Sequence, residues 1–249
     1  MKNKYRILKI IVTVVVLGFL LSFSLKRFSE TKMPGVALNM MQGEHPVYFI
    51  DEQDIQQMIA QYNPSQKIGS IDIPRLEKQI RSLPAIDSAN VYLSLNGILH
   101  LDIIQRTPIF RLQNGKQEVY IDAKGVAFPM QKNYAYPCML VSGNISKEEY
   151  LPLIQLVNKI NRDEFCRKFF IGIVKKGQNY HLITNEEHYT VELGSLENID
   201  FKIQGFKTFV EKYLVYQEPQ KYSKISLKYN NQIVTTLSRP YKTQQEDKK

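Results

Sequence analysis

The sequence predicts an α+β protein. It reads as a single N-terminal transmembrane helix, a β-α-α-β-β module, and a β-rich domain of antiparallel strands with two helices. Three observations predict this. Residues 7–25 (ILKIIVTVVVLGFLLSFSL) form an almost unbroken apolar run. Two capped helical stripes lie between a first strand and a hairpin within residues 33–107. From Pro108 onward, short strand patterns punctuated by Gly, Asn and Asp dominate, with two longer stripes at helical spacing. The expected divisions are a short cytoplasmic tail and anchor over 1–32, the first module over 33–107, the β-rich domain over 108–238, and a polar, disordered tail over 239–249.

The 19 residues of the apolar run hold fourteen Leu, Ile, Val or Phe. As a helix they rise about 28 Å, close to the ~30 Å hydrocarbon core of a bilayer. Lys9 falls in the first turn, where its stem can carry the ammonium to the headgroups. A cleaved signal peptide has a shorter core and a small-x-small cleavage site; here Lys26-Arg27-Phe28 follows, which favours an uncleaved anchor. The formal net charge of +9 agrees with this reading. Residues 1–32 carry seven Lys or Arg against Glu30, a net of +6, whereas the rest holds 26 basic and 23 acidic residues. The excess flanks the apolar run instead of forming the basic folded face of a nucleic-acid binder. A short tail before a first helix, with a long domain behind it, sets the expected orientation: N-terminus cytoplasmic, body extracytoplasmic.

Side chains that would carry chemistry are scattered. The four histidines, His45, His100, His181 and His188, have no metal-ligand spacing, and His100 alternates with Leu99 and Leu101 as a solvent-facing strand residue. The pairs Glu148-Glu149, Asp163-Glu164 and Glu186-Glu187 read as solvated charge near helix ends and turns. Cys138 and Cys166 lack a Cys-x-x-Cys arrangement and read as buried free thiols, although one bridge between them is open. No phosphate loop, dinucleotide fingerprint or nucleophile elbow occurs. No catalytic residue, metal site or cofactor is therefore expected.

In the first module, residues 36–41 form the first strand. Asp51 caps a helix bearing Ile55, Met58, Ile59 and Tyr62, and Asp72 caps a second bearing Ile73, Leu76, Ile80 and Leu83. A hairpin follows. A two-residue Asn96-Gly97 turn would send its apolar rows to opposite faces. An odd-length loop of residues 96–98 would instead pair Leu95 with Leu99, Leu93 with Leu101 and Val91 with Ile103. The order strand–helix–helix–strand–strand, with Leu83-Pro84-Ala85-Ile86 running into the hairpin, resembles a POTRA domain. Directly after a single membrane anchor, it resembles the FtsQ/DivIB family of bacterial division proteins. Gln105-Arg106-Thr107-Pro108 resembles that family's Glu-Arg-x-Pro, with Gln105 trading an edge charge for an amide and Ala85 standing where a Trp is frequent.

In the second domain, Asn114-Gly115 is expected to turn a hairpin pairing Phe110 with Val119, Ile109 with Tyr120 and Arg111 with Glu118. Asp122-Ala123-Lys124-Gly125 resembles the family's Asp-x-x-Gly turn, and residues 138–143 its next strand. Ser146 caps a helix of about fifteen residues. Strands near 169–175, 180–184 and 189–193 precede a second helix, whose Phe201, Phe206, Phe209, Val210, Tyr213 and Leu214 read as core. Residues 222–229 and 232–237 close the domain as a hairpin over Asn230-Asn231.

Residues 232–237 (QIVTTL) are rich in β-branched side chains, with no charge between Lys228 and Arg239. If this strand ends the sheet, its backbone is poorly defended against strand addition, or else the C-terminal tail covers it. The resemblance implies that an FtsB-like partner docks here, in a complex with an FtsL-like protein. It carries the partner-binding role onto Tyr229, Gln232, Ile233, Val234, Thr235, Thr236 and Leu237. It also implies a non-enzymatic scaffold at the division septum, held in the bilayer by residues 7–25, whose POTRA module recruits other division proteins. A POTRA-bearing assembly or secretion factor and a membrane-tethered cell-wall hydrolase are the alternative classes.

Overall fold

The computed structural model describes residues 2–41, 46–131, 134–186, 188–218, 220–239 and 241. His45, Glu187 and all of the expected tail except residues 239 and 241 lie outside them. The chain divides into two compact units, Met1–Arg106 and Thr107–Lys249.

The first unit begins with α1 (Lys2–Glu30). At ~1.5 Å per residue a helix of this length approaches the full thickness of a bilayer, headgroups included. Then come β1 (Val36–Met41), α2 (Glu52–Tyr62), α3 (Ile73–Arg81), β2 (Ile86–Leu93) and β3 (Leu99–Gln105). The sheet order is β1-β3-β2, with β1 parallel and β2 antiparallel to β3. Both expected caps form: Asp51 and Asp54 make a capping box on α2, and the Arg75 N–H donates to Asp72 Oδ1 at 3.0 Å on α3. Ile55, Ile59, Leu76 and Ile80 are buried along with Leu99, Leu101 and Ile103 of the central strand.

The β2–β3 loop is odd in length, as expected, but holds five residues, 94–98. Leu93 pairs with Leu99 and Val91 with Leu101, two positions from the predicted register. Bonding within the loop, backbone and side chain together, explains the shift. Ser94 N–H donates to the Ile98 carbonyl at 3.0 Å, and Ile98 N–H donates to Asn96 Oδ1 at 3.2 Å, so local polar bonds close a longer loop. Leu95 leaves the strand and is fully exposed, at 100%.

Gln105 is not an edge residue. Its buried Oε1 accepts from the N–H groups of Phe49 (2.9 Å) and Ile50 (3.1 Å), and its Nε2 donates to the Ile50 carbonyl at 3.3 Å. Only an amide can accept and donate here; a carboxylate could not donate. Gln105→Ala would leave buried backbone groups unpaired just before α2. It is expected to cost about 2 kcal/mol, read as a lowered unfolding midpoint in urea. An unchanged midpoint would refute the clasp.

The second unit builds one nine-stranded sheet: β4 (Pro108–Asn114), β5 (Gln117–Asp122), β6 (Ala127–Pro129), β7 (Met139–Ser142), β8 (Phe170–Lys176), β9 (Asn179–Thr184), β10 (Thr190–Gly194), β11 (Tyr222–Ser226) and β12 (Val234–Leu237). The spatial order is β12-β11-β10-β9-β8-β7-β4-β5-β6. The strands are not all antiparallel, as the sequence suggested. The pairs β4–β7, β7–β8 and β10–β11 run parallel, because longer segments, two of them helical, connect them. The helices are α4 (Tyr150–Arg162), a short α5 (Glu164–Phe169) and α6 (Ile199–Lys212). Leu153, Leu156, Val157 and Ile160 of α4 and Ile203 and Phe206 of α6 share one core with Phe110, Val141, Ile173, Leu182, Val191 and Ile225 of the sheet.

The β4–β5 turn also differs from the expected one. Asn114 pairs with Gln117, so the turn residues are Gly115-Lys116, and Phe110 lies opposite Ile121. Gly115, at φ +63, sits at the first central position, where a two-residue turn needs positive φ. Arg111 still meets Glu118, diagonally, at 3.3 Å. The Asp-x-x-Gly turn forms: Asp122 Oδ1 accepts from the Lys124 N–H (2.9 Å) and the Val126 N–H (2.8 Å), with Gly125 at φ +75.

Candidate partner-binding edge

Nine strands in one sheet leave two ends. At one end β6 has only three residues and stops at Pro129, which lacks an N–H. At the other lies β12, a four-residue Val-Thr-Thr-Leu strand without charge, paired with β11 alone among the described residues. The closing hairpin is shorter than expected. β11 ends at Ser226 and β12 starts at Val234, so residues 227–233 form a connection in which Asn231 takes φ +60. The Asn230-Asn231 turn therefore becomes part of a wider loop. Of the seven residues singled out for partner binding, Val234, Thr235, Thr236 and Leu237 lie on the edge strand. Tyr229, Gln232 and Ile233 lie in the connection.

The direction of each backbone group on β12 follows from the ladder. The Leu227 N–H donates to the Glu192 carbonyl at 2.8 Å, so Leu227 and, by alternation, Ile225 face β10, leaving Lys224 and Ser226 to face β12. Their partners Thr236 and Val234 therefore spend their N–H and C=O groups inward. Ser238 continues the pattern by donating to the Lys221 carbonyl at 2.9 Å. Thr235, between them, presents its N–H and C=O outward. Its side chain sits opposite Ile225, on the side of the buried core. Val234, 40% exposed, is opposite Ser226 on the other face.

Beside the start of this edge lies a groove of about 370 Å³ formed by α6 and the 227–233 connection, with Phe201, Gly205, Tyr229 and Ile233 in its lining. Phe201 was read from its spacing as core, yet it is 58% exposed, and Tyr229 is 50% exposed. The helical stripe is wider than the sheet beneath it. Phe206 and Val210 are buried, whereas Phe201 and Tyr213 project past the rim. Gly205 meets no atom within 4 Å of where a Cβ would stand, so its bareness keeps the groove open. Lys202 is buried at the same place and donates to the Ser195 carbonyl at 2.8 Å; burial lowers its pKa. The alternation of polar and apolar residues could not reveal this groove, because it depends on how far α6 overhangs the last strands.

Elsewhere one member of each of two acidic pairs, Glu149 and Asp163, proves structural. Glu149 closes a capping box with Ser146 and accepts from Lys175 Nζ at 2.6 and 2.8 Å and from the Tyr180 hydroxyl. Asp163 caps α5 through the Cys166 N–H (3.0 Å) and binds Lys207 of α6 at 2.8 Å. Neither is simply solvated charge, as expected from the sequence. Cys138 and Cys166 are free thiols, Cys166 buried and Cys138 half-buried, and desolvation pushes their pKa values up to about 12 and about 11 respectively. His100 stacks on Tyr92, with ring centroids 5.0 Å apart, on the sheet face opposite the helices of the first unit. Among the described residues, no cluster of three or more His, Cys, Asp or Glu is placed to hold a metal ion.

An N-terminal helix long and apolar enough to cross a membrane, followed by a β-α-α-β-β module and a strand-rich domain, fits a membrane-anchored protein of the POTRA type. A POTRA-like domain model matches residues 36–104, and the model described as FtsQ/DivIB, C-terminal related, matches residues 107–236. No curated protein sequence matches the chain. The chain belongs to the FtsQ/DivIB family, a family of non-enzymatic cell-division scaffolds, and its apolar helix fits a single-pass membrane protein of the septum.

Proposed function

We propose that this protein anchors an extracytoplasmic scaffold to the cell membrane through residues 7–25, with its N-terminus in the cytoplasm, and holds an FtsB-like partner at β12. An FtsL-like protein joins through that partner, and the POTRA module (33–107) recruits other division proteins beside the β-rich domain (108–238). The observation that carries this reading is the outward-facing N–H and C=O of Thr235 on an uncharged edge strand. A partner strand gains affinity from those backbone groups and specificity from alternate side chains. Residues on its core-facing side would pass the groove of Phe201, Tyr229 and Ile233.

The test follows from the ladder. Thr235→Pro deletes an outward donor and spares the β11–β12 bonds, a position where an edge strand tolerates proline. Val234→Pro would break an inward bond to Ser226, and so tests the hairpin, not the docking. Co-purification of the Thr235→Pro chain from membranes is expected to lose two small partner proteins while its thermal unfolding stays near that of the parent. Retention of both partners by the folded variant would sink the proposal.

A further inference from the structure

We propose that the tip of the β2–β3 hairpin rests in the lipid interface beside α1, with Leu95 as a second, shallow membrane contact. This rests on the reading of α1 as the membrane anchor.

The argument is a chain of contacts starting from the last turn of that helix. Met33 N–H donates to the Gln66 carbonyl at 2.7 Å and Ile68 N–H to the Thr31 carbonyl at 3.0 Å, while Lys67 pairs with Glu30. A Cβ on Gly69 would stand 2.5 Å from Ser29 Cβ and 3.0 Å from its backbone, so the 66–69 segment lies directly on the helix end. The module therefore follows its anchor without a free linker. The hairpin tip packs on the same segment: a Cβ on Gly97 would stand 2.7 Å from Ile68 Cδ1 and 3.3 Å from Pro34 Cδ.

Depth follows from helix geometry. Ser29 is four residues beyond Leu25, about 6 Å along the axis. That places it within the headgroup layer, roughly 5–7 Å thick on each side of the hydrocarbon. Leu95 is two residues from Gly97, at most about 7 Å of backbone away. A lone exposed leucine ordinarily needs no explanation. This one is 100% exposed on a tip tethered at headgroup depth. Its surroundings suit an anionic lipid surface: no acidic residue occurs from Ser88 to Leu101, and Lys26, Arg27 and Lys32 flank the helix end.

The chain contains no tryptophan, so a single introduced one reports its own surroundings. Full-length Leu95→Trp, Ile104→Trp and Leu17→Trp chains are each placed in phosphatidylethanolamine–phosphatidylglycerol vesicles, with and without lipid brominated near the top of its acyl chains. Ile104 is exposed at the far end of β3 from the tip, and Leu17 lies at the middle of the anchor. Leu95→Trp is expected to lose about half its emission to the bromine with a blue-shifted maximum, as for a side chain seated ~5–10 Å into the headgroup boundary. Ile104→Trp is expected to keep its emission. Quenching of Leu17→Trp without Leu95→Trp overturns the tip contact while leaving the anchor intact. Equal quenching at 95 and 104 overturns it too, since the tip would then have no privileged contact. An unquenched Leu17→Trp removes the anchor and the inference together.

Discussion

Gly143→Ala is expected to be strongly damaging to the second unit. Gly143 follows β7 at φ +126, a region that L side chains rarely adopt, and its N–H donates to the Gln113 carbonyl at 3.1 Å. An added Cβ would stand 2.7 Å from the Lys175 carbonyl oxygen and 2.9 Å from Lys175 Cβ, so backbone on β8 would have to move. Backbone strain and overpacking together cost about 3–5 kcal/mol. Against a typical domain stability of roughly 5–15 kcal/mol, that lowers the melting temperature by about 10–15 °C. Gly115→Ala is the comparison, because its φ of +63 is strained but nothing lies within 4 Å. Calorimetry showing Gly143→Ala no worse than Gly115→Ala would contradict the crowding argument.

The second large effect is expected at Glu149. Desolvation tends to raise its pKa, but hydrogen bonds from Lys175, Tyr180 and the Ser146 N–H outweigh that and hold it at about 2. The Lys175 side chain is only 12% exposed, so Glu149→Ala strands a largely buried ammonium. The loss is put at about 3 kcal/mol, at the low end for broken buried pairs because Glu149 retains some solvent. The sign of the pH dependence follows from the depressed pKa. The stabilisation is complete above the ordinary carboxylate value of 4.5 and disappears as pH falls towards 2. Asp163, held at about 2 chiefly by Lys207 and then by the Cys166 N–H, acts in a narrower window, from its ordinary 3.8 down towards 2. The parent is expected to lose thermal stability steeply between pH 4.5 and 2, and Glu149→Gln to lose less over that interval. Parallel profiles for the two chains would remove Glu149 from the account.

Most elements were legible in the sequence because they carry local signals, whereas the short α5 (Glu164–Phe169), capped by Asp163, was not expected. Asp51, Asp72 and Ser146 announce helix starts, and apolar residues repeat at the proper spacing behind them. Register was less legible. The hairpins at Asn96-Gly97 and Asn114-Gly115 slipped by two positions and kept the correct face, because there the burial pattern fixes parity but not offset, whereas the closing hairpin expected over Asn230-Asn231 shifted by one, pairing Ser226 with Val234. Offset depends on which side-chain oxygen captures which N–H, as Asn96 does for Ile98. Of the candidate site, the uncharged edge could be read from residues 232–237. The outward direction of Thr235 and the overhang of Phe201 could not, because both depend on partners far away in the chain.

The two ends of the large sheet are unequal, and that limits assembly. Among the described residues of this sheet Pro129 blunts one end, so under the proposed docking a partner strand is expected at Val234–Leu237. With one end of the sheet blunted, copies of the chain are not expected to stack onto one another in an endless head-to-tail row. Such an asymmetric sheet favours a closed complex over a fibre.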